Sequence, residues 1–323
     1  MKIAKTYNYL KKDLDYIEKA VDEIIQADHP VLREASTHLL KAGGKRIRPV
    51  FVLLGGQFGN YDIERMNIVA TSIELIHMAS LVHDDVIDDA EIRRGEPTIK
   101  EQYDNRVAMY TGDYLLARSL EIITTLKEKQ AHQTLAKTIV EVCIGEIEQI
   151  KDKHVWDQSI RTYLRRIRRK TALLIATSCK LGAIVAGVNE KDANRLFKYG
   201  YYIGMSYQII DDILDFTSSE KELGKPAGND LLQGNITLPV LYAMEYPSFN
   251  TLVRNTFKGS EPVADEQMHQ LIRLLKQTDA IERSYQLSDM YLQKALHTLD
   301  MLPDNRGKQS LNGIATYIGR RRS

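Results

Sequence analysis

Two short acidic runs carry the strongest chemical signal in the sequence: His83-Asp84-Asp85-Val86-Ile87-Asp88-Asp89 and Gln208-Ile209-Ile210-Asp211-Asp212-Ile213-Leu214-Asp215. In each, the outer aspartates of an Asp-Asp-x-x-Asp core stand four residues apart, which puts their carboxylates on one face of a helix. Carboxylates placed this way repel one another unless a cation lies between them. Hard oxygen ligands that leave room for water and phosphate oxygens suit Mg²⁺. If the two helices face one another, the two sets can bracket a diphosphate through several metal ions. One such motif has little specificity in a chain with 43 Asp and Glu, since acidic residues also gather on solvated helix surfaces. Two copies, each closing a long apolar helix where the macrodipole opposes negative charge, ask for a functional reason.

Basic groups complete the picture. Gly43-Gly44-Lys45-Arg46-Ile47-Arg48-Pro49 sets three cations beside flexible glycines, and Arg93-Arg94-Gly95 follows the first acidic run. Lys170-Thr171 lies between the two runs, and Lys225 follows the second in Leu223-Gly224-Lys225-Pro226. Arginine grips phosphate oxygens as a planar fork and lysine serves as a mobile point charge. Any one of these is an ordinary surface charge; the set points to more than one phosphate group. The basic stretch Leu164 to Lys170 lacks neighbouring aromatics for stacking on bases, so it reads as a solvated helix face rather than an RNA site.

The elements that must position these groups read as helices. In Ile68 to Val82, residues Ile73, Ile76, Ala79 and Val82, with Leu75 and Met78, recur at three- and four-residue steps, and Thr138 to Ile150, Tyr163 to Ala186 and Arg195 to Leu214 behave alike. Strand signals are weak, and no Asn-Gly or Asp-Gly hairpin lies between alternating runs. Breaks are expected at Gly43-Gly44, Gly55-Gly56, Gly95 to Pro97, Gly224 to Gly228 and Pro303. An all-α fold of many packed helices follows. Without a Gly/Ser- or Pro-rich linker, residues 1–323 read as one large domain. The 43% hydrophobic and 27% charged composition is that of a soluble globular protein, and a net charge of +1 gives no reason to expect nucleic acid as partner. Cys143 and Cys179 sit in apolar stretches and read as buried thiols, which fits a reducing cytoplasm. Met1 to Lys12 has no apolar core, so no secretory leader is expected, and no apolar run is long enough for an integral membrane segment.

Taken in order, these motifs resemble the trans-isoprenyl (polyprenyl) diphosphate synthase family. They are its Gly-Gly-Lys-x-x-Arg-Pro element (Gly43 to Pro49), its first aspartate-rich motif with Arg-Arg-Gly (Asp84 to Gly95), its Lys-Thr pair (Lys170, Thr171) and its second aspartate-rich motif with leading Gln and trailing Gly-Lys-Pro-x-Gly-x-Asp (Gln208 to Asp230). The match runs from about Leu32 to Tyr242. The phrases Leu81-Val82-His83-Asp84 and Gly204-Met205-Ser206-Tyr207-Gln208 are most similar to the larger subunit, component II, of bacterial heptaprenyl or hexaprenyl diphosphate synthases. The resemblance implies an isoprenoid-synthase-type bundle of many helices around a central cavity, and three Mg²⁺ ions per active site. It implies a dimer too, or a heterodimer with a smaller, divergent subunit.

It also implies roles. Asp84, Asp88 and Asp211 would hold Mg²⁺ against an allylic diphosphate, with Asp85, Asp212 and Asp215 supporting them. Arg93, Lys170 and Lys225 would bind the same diphosphate. Lys45, Arg48, His77 and Arg94 would hold isopentenyl diphosphate, and Thr171 and Gln208 would offer neutral dipoles near the allylic cation. Ionisation of the allylic diphosphate, attack by the isopentenyl double bond and loss of a proton would follow, with the released diphosphate as proton acceptor. Many family members carry Gly-Lys where this chain has Gly234-Asn235, so one diphosphate-binding cation is missing.

Product length should depend on the floor of the apolar tunnel below the first aspartates. Ala79 and Ser80 lie about one helical turn before Asp84, where short-chain members carry an aromatic, and Ile73 and Ile76 lie deeper as a partial floor. Small side chains there imply products of about C30 to C40 from farnesyl diphosphate, for a quinone side chain, or a shorter geranylgeranyl-type product. Three other readings compete. A class I terpene cyclase does not need the second set of cations. A metal phosphohydrolase using His38, His83, Asp84 and Asp113 leaves the second aspartate run unexplained. A subunit inactive without its partner keeps both motifs.

Overall fold

The computed structural model describes residues 2–44, 46–218, 227–259 and 263–321, with side chains from residue 8 onward. Lys45 and Lys225 therefore lie outside the described residues, as does most of the expected break at Gly224 to Gly228. Helices dominate, as the periodicity predicts. In chain order they are α1 (Lys2–Ile24), α2 (Pro30–Lys41), α3 (Ile47–Gly56), α4 (Ile63–Ile87), α5 (Ile99–Gln102), α6 (Asn105–Ile123), α7 (Lys129–Asp152), α8 (Ile160–Ile167), α9 (Leu173–Val185) and α10 (Glu190–Thr217). After these come α11 (Asn229–Leu232), α12 (Leu238–Ala243), α13 (Pro247–Thr256), α14 (Asp265–Lys276), α15 (Ala280–Asp300) and α16 (Arg306–Gly319).

Two departures from the expected pattern matter for the site. A two-residue ladder does form: β1 (Ile92–Arg93) pairs antiparallel with β2 (Glu96–Pro97). Its turn residues Arg94 and Gly95 have φ of 55° and 83°, the mirror-image turn that tight hairpins need, built on Arg-Gly rather than the usual Asn-Gly or Asp-Gly. Secondly, Tyr163 to Ala186 is not one α-helix, because a π-helical turn, Arg168–Ala172, separates α8 from α9.

The chain divides into two compact units. The first comprises Met1–Ile139, Leu174–Phe197 and Met301–Gly313. Its core is α4, capped by Asp62, whose carboxylate accepts the Glu64 N–H at 3.0 Å, and buried over most of Met66 to Val82 by residues of α1, α3 and α6. Leu10, Ile25, Phe51, Leu53 and Leu54 pack around it, all under 2% exposed. Where α3 meets α9, Gly55 faces the Cys179 carbonyl and Gly182 the Val52 carbonyl, and a Cβ on Gly182 would stand 2.0 Å from that oxygen. Only glycine lets the two backbones approach so closely.

The second unit comprises Val140–Leu173, Lys198–Asp300 and Ile314–Ser323, around Tyr163, Tyr199, Phe216 and Phe249. Here α10 crosses the π turn at Gly204, where an added Cβ would lie 2.5 Å from the Ala172 Cα; on α7, Gly145 faces the Arg169 Cβ in the same way. The basic stretch before Lys170 is not the solvated face expected. Arg166 is buried and donates to the Ile236 carbonyl, while Arg169 bridges Glu141 and Glu148 of α7. Carboxylates on the neighbouring helix, invisible in the local sequence, absorb these charges. Cys179 is buried as expected, but Cys143 is exposed, on the outer side of α7. Among the described residues, no helix is long and apolar enough to cross a membrane.

Candidate active site

In the first unit, the aspartate motif closes α4. Asp88 caps the helix, its N–H bonding the Asp84 carbonyl at 2.8 Å, and Asp89 follows with φ of 51°. That reversal, held by the ion pair of Asp89 with Lys100, sends the chain into the β1–β2 hairpin, which brings Arg93 back to α4. Arg93 Nε donates to both carboxylate oxygens of Asp85, at 2.8 and 3.0 Å, and Nη2 lies 2.6 Å from Oδ1. Arg93, expected on the substrate diphosphate, thus also orients the second aspartate. Burial pushes the Asp85 pKa up against the pull of Arg93, with Asp84 and Asp88 adding to the rise. Asp84 is buried and Asp88 half-buried.

His77, two turns earlier on α4, is half-buried. Burial, and then the charges of Arg48, Arg94, Arg93 and Arg46, push its pKa well below the ordinary histidine value. The charges of Arg48 and Arg94, two residues expected with His77 on isopentenyl diphosphate, are thus felt at the imidazole. Arg46, which carried no separate role in the sequence, is held by Glu18 and Glu74. The phosphohydrolase constellation does not assemble: His83 Nε2 lies 3.3 Å from Asp113, but His38 takes the Pro97 carbonyl at 2.8 Å. Ile73, Ile76 and Ala79 are buried along α4, and half-buried Ser80 donates to the His77 carbonyl at 2.8 Å.

In the second unit, a continuous hydrogen-bond chain orders the other motif. The Thr171 hydroxyl donates to Gln208 Oε1 at 2.7 Å, Gln208 Nε2 donates to Asp212 Oδ1 at 2.8 Å, and the Tyr163 hydroxyl donates to Asp212 Oδ2 at 2.7 Å. Asp212 is buried, and burial, then the Asp230 charge, pushes its pKa up to about 8, against the two hydrogen bonds. Asp215 is buried as well, its Oδ2 accepting the Asp230 N–H at 3.2 Å. Asp211 is exposed, with Arg321 Nη2 at 3.4 Å. Lys170, carried by the π turn, pairs with Glu146 at 3.0 Å. A π turn inserted into a helix re-aims its side chains and is common at functional sites. Tyr163 and Arg321 had no local signal; only the fold delivers them to the aspartates.

The polyprenyl synthetase family model matches residues 29–275. The chain belongs to the polyprenyl synthase family. Over its full length it is 60% identical to heptaprenyl diphosphate synthase component 2 of Bacillus subtilis (strain 168), covering 92% of that protein. The crystal structure of heptaprenyl diphosphate synthase from Staphylococcus aureus superposes with a TM-score of 0.91 at 43% identity, covering 97% of this chain and 99% of that one. A polyprenyl synthase from Caulobacter crescentus, solved with calcium and isoprenyl diphosphate, gives a TM-score of 0.93 at 28% identity, covering 99% and 98%. The expected isoprenoid-synthase fold and prenyltransferase class hold.

Polyprenyl synthases are in general Mg²⁺-dependent. The donor set fits that ion. Each motif offers hard carboxylate oxygens one turn apart, yet no group of three or more His, Cys, Asp or Glu among the described residues is arranged to hold a metal alone. Mg²⁺ is commonly bound by one or two carboxylates, with water and substrate phosphates completing its shell.

Proposed function

We propose that this chain is the catalytic subunit of a medium- to long-chain trans-polyprenyl diphosphate synthase, a single working domain that adds isopentenyl diphosphate to farnesyl diphosphate and stops at about C30 to C40. The observation that carries the reading is that each aspartate motif is ordered by its own protein donors. Protein donors orient the second aspartate of each, Asp85 through Arg93 and Asp212 through Tyr163 and Gln208. Asp84, Asp88 and Asp211 act as the ligands of three Mg²⁺ ions, with Asp85, Asp212 and Asp215 in support. When bound, Mg²⁺ neutralises charge on the departing diphosphate.

The chain's own residues do the rest. Arg93, Lys170 and Lys225 bind the allylic diphosphate and stabilise it as it leaves. Lys45, Arg48, Arg94 and neutral His77 hold isopentenyl diphosphate, His77 as a hydrogen-bond donor that adds no charge to the arginines around it. The Thr171 and Gln208 dipoles lie beside the developing cation, where an anion would trap it. Small Ala79 and Ser80 let the tail pass, and Ile73 and Ile76 limit it. The relatives named component 2 imply a second component. In this reading a smaller partner subunit completes the enzyme, and the product serves a quinone side chain.

Purified chain is given farnesyl diphosphate, radiolabelled isopentenyl diphosphate and Mg²⁺. Labelled products of about C30 to C40, from the chain alone or after adding host lysate, support the reading. Products that stop at C20 favour the geranylgeranyl-type alternative, and no incorporation under either condition overturns the assignment.

A further inference from the structure

Arg46 occupies a place that its own chemistry does not explain. Its backbone is left-handed (φ 45°, ψ 38°), a conformation that L-residues other than Gly and Asn rarely adopt, at the start of α3 and beside Gly44. Two helices hold it there. Nε and Nη2 donate to the two carboxylate oxygens of Glu18 on α1, both at 2.7 Å, and Nη1 donates to Glu74 Oε1 on α4 at 3.0 Å. The Arg46 side chain is 13% exposed and that of Glu74 4%. Burial lowers the Arg46 pKa, but the two glutamates raise it more, so the guanidinium stays charged. Two carboxylates on one arginine are more than neutrality requires.

The excess has a neighbour. A Cβ on Gly44 would lie 2.9 Å from Arg94 Nη1 and 3.3 Å from Arg46 Nη1, so the two guanidiniums share that glycine. Burial and the charges of Arg46 and Arg93 lower the Arg94 pKa, and Glu74 opposes the fall. Glu74 also lies one turn before His77 on α4. Glu74 Oε2 is buried and accepts no hydrogen bond among the described residues, a defect that folded proteins seldom keep without a use.

We infer that Glu18 and Glu74 are positioning residues for the isopentenyl diphosphate site and act through Arg46. The clamp fixes the left-handed turn at Arg46, which sets where the first turn of α3 presents Arg48, and it lets Arg94 stand beside Arg46 despite their like charge. None of the three touches substrate. The inference rests on the proposed prenyltransferase reading, and it assigns to α1, which carries none of the recognised motifs, a share in substrate affinity.

The test uses Glu74→Gln, Glu18→Gln and Arg46→Lys in the full chain, assayed under the conditions in which wild type turns over. Isothermal calorimetry with isopentenyl diphosphate and with a non-ionising farnesyl thiolodiphosphate runs in parallel. Losing one charged hydrogen bond of the clamp should raise KM and Kd for isopentenyl diphosphate about tenfold, leaving kcat and the allylic KM within about twofold. Arg46→Lys keeps the charge without the fork and should fall between wild type and Glu74→Gln. Glu18 lies at the exposed side of the clamp, so Glu18→Gln carries the test if Glu74→Gln folds poorly. Lower kcat and thermal stability with both KM values unchanged would mean a merely structural clamp. A lower KM for isopentenyl diphosphate in Glu74→Gln would mean that Glu74 only weakens the cationic field. Either result overturns the inference, and failure of wild type to bind either diphosphate would overturn the reading beneath it.

Discussion

At the scale of single residues, the aspartates divide by the roles proposed for them. Asp85 and Asp212 are locked by protein donors, so alanine there removes a scaffold; Asp84 closes α4 among the residues proposed to meet metal and phosphate. Asp84→Ala should therefore lower kcat by about 10²- to 10³-fold, the range for losing one preorganised electrostatic contact, with little change in Tm. Single-turnover kinetics with a melting curve on the same preparation check this. His77 supplies a second, independent handle. Its folded pKa lies below the unfolded value near 6.5, so the unfolded chain binds the extra proton first. The stability this neutral histidine contributes is present above that pH and is lost as pH falls below it. In this acid range the wild-type Tm should drop by about 2 °C per pH unit more than that of His77→Gln, from 1.36 kcal/mol per unit spread over a chain of this length. Parallel slopes would mean that the imidazole titrates normally. Residue types and spacing made the aspartates and most of the cations legible in the sequence. Tyr163, Glu146 and Arg321 were not, because each reaches its partner across more than twenty intervening residues and carries no local pattern.

At the scale of elements, helix periodicity gave the long helices, because α4, α7 and α10 each keep an apolar pattern over many turns. It could not give the π turn. Arg168 to Ala172 reads as continuous helix, and the extra residue is accommodated only because Gly145 and Gly204 let α7 and α10 close on it. Nor could it give the β1–β2 hairpin, whose positive-φ Arg94 has no turn signature of its own. Gly204→Ala tests whether that close approach aims Lys170 and Thr171. Its Cβ would press the Ala172 backbone, which cannot swing aside as a side chain can. We expect a loss of about 1 to 3 kcal/mol, read as a lowered Tm, and a fall in kcat larger than the fall in folded fraction. Unchanged kcat per folded molecule would detach the π turn from catalysis. On α4, Ala79→Phe puts an aromatic about one turn before Asp84, at a position now buried. Products should shorten to about C15 to C20, sized by reversed-phase chromatography. Unchanged length would mean that this face of α4 does not line the tunnel.

At the scale of the whole molecule, the proposed mechanism assigns both aspartate motifs to one allylic diphosphate. That assignment has a thermodynamic signature that does not depend on turnover or on a partner subunit. A ligand that binds only the folded chain stabilises it by about 2.7 kcal/mol at one hundred times its Kd. For a chain of this length that corresponds to a Tm rise of about 4 °C. Farnesyl thiolodiphosphate with Mg²⁺ should raise the wild-type Tm by that amount, and EDTA should abolish the rise, since carboxylates alone repel the diphosphate. If both motifs grip the same diphosphate through shared ions, Asp84→Ala and Asp211→Ala should each remove nearly all of the shift. The double variant should then add almost nothing, because residues that act as a unit are not additive. Two independent diphosphate sites would instead leave each single variant with part of the shift and make the losses add. Additive losses would break the one-site mechanism while leaving family membership untouched.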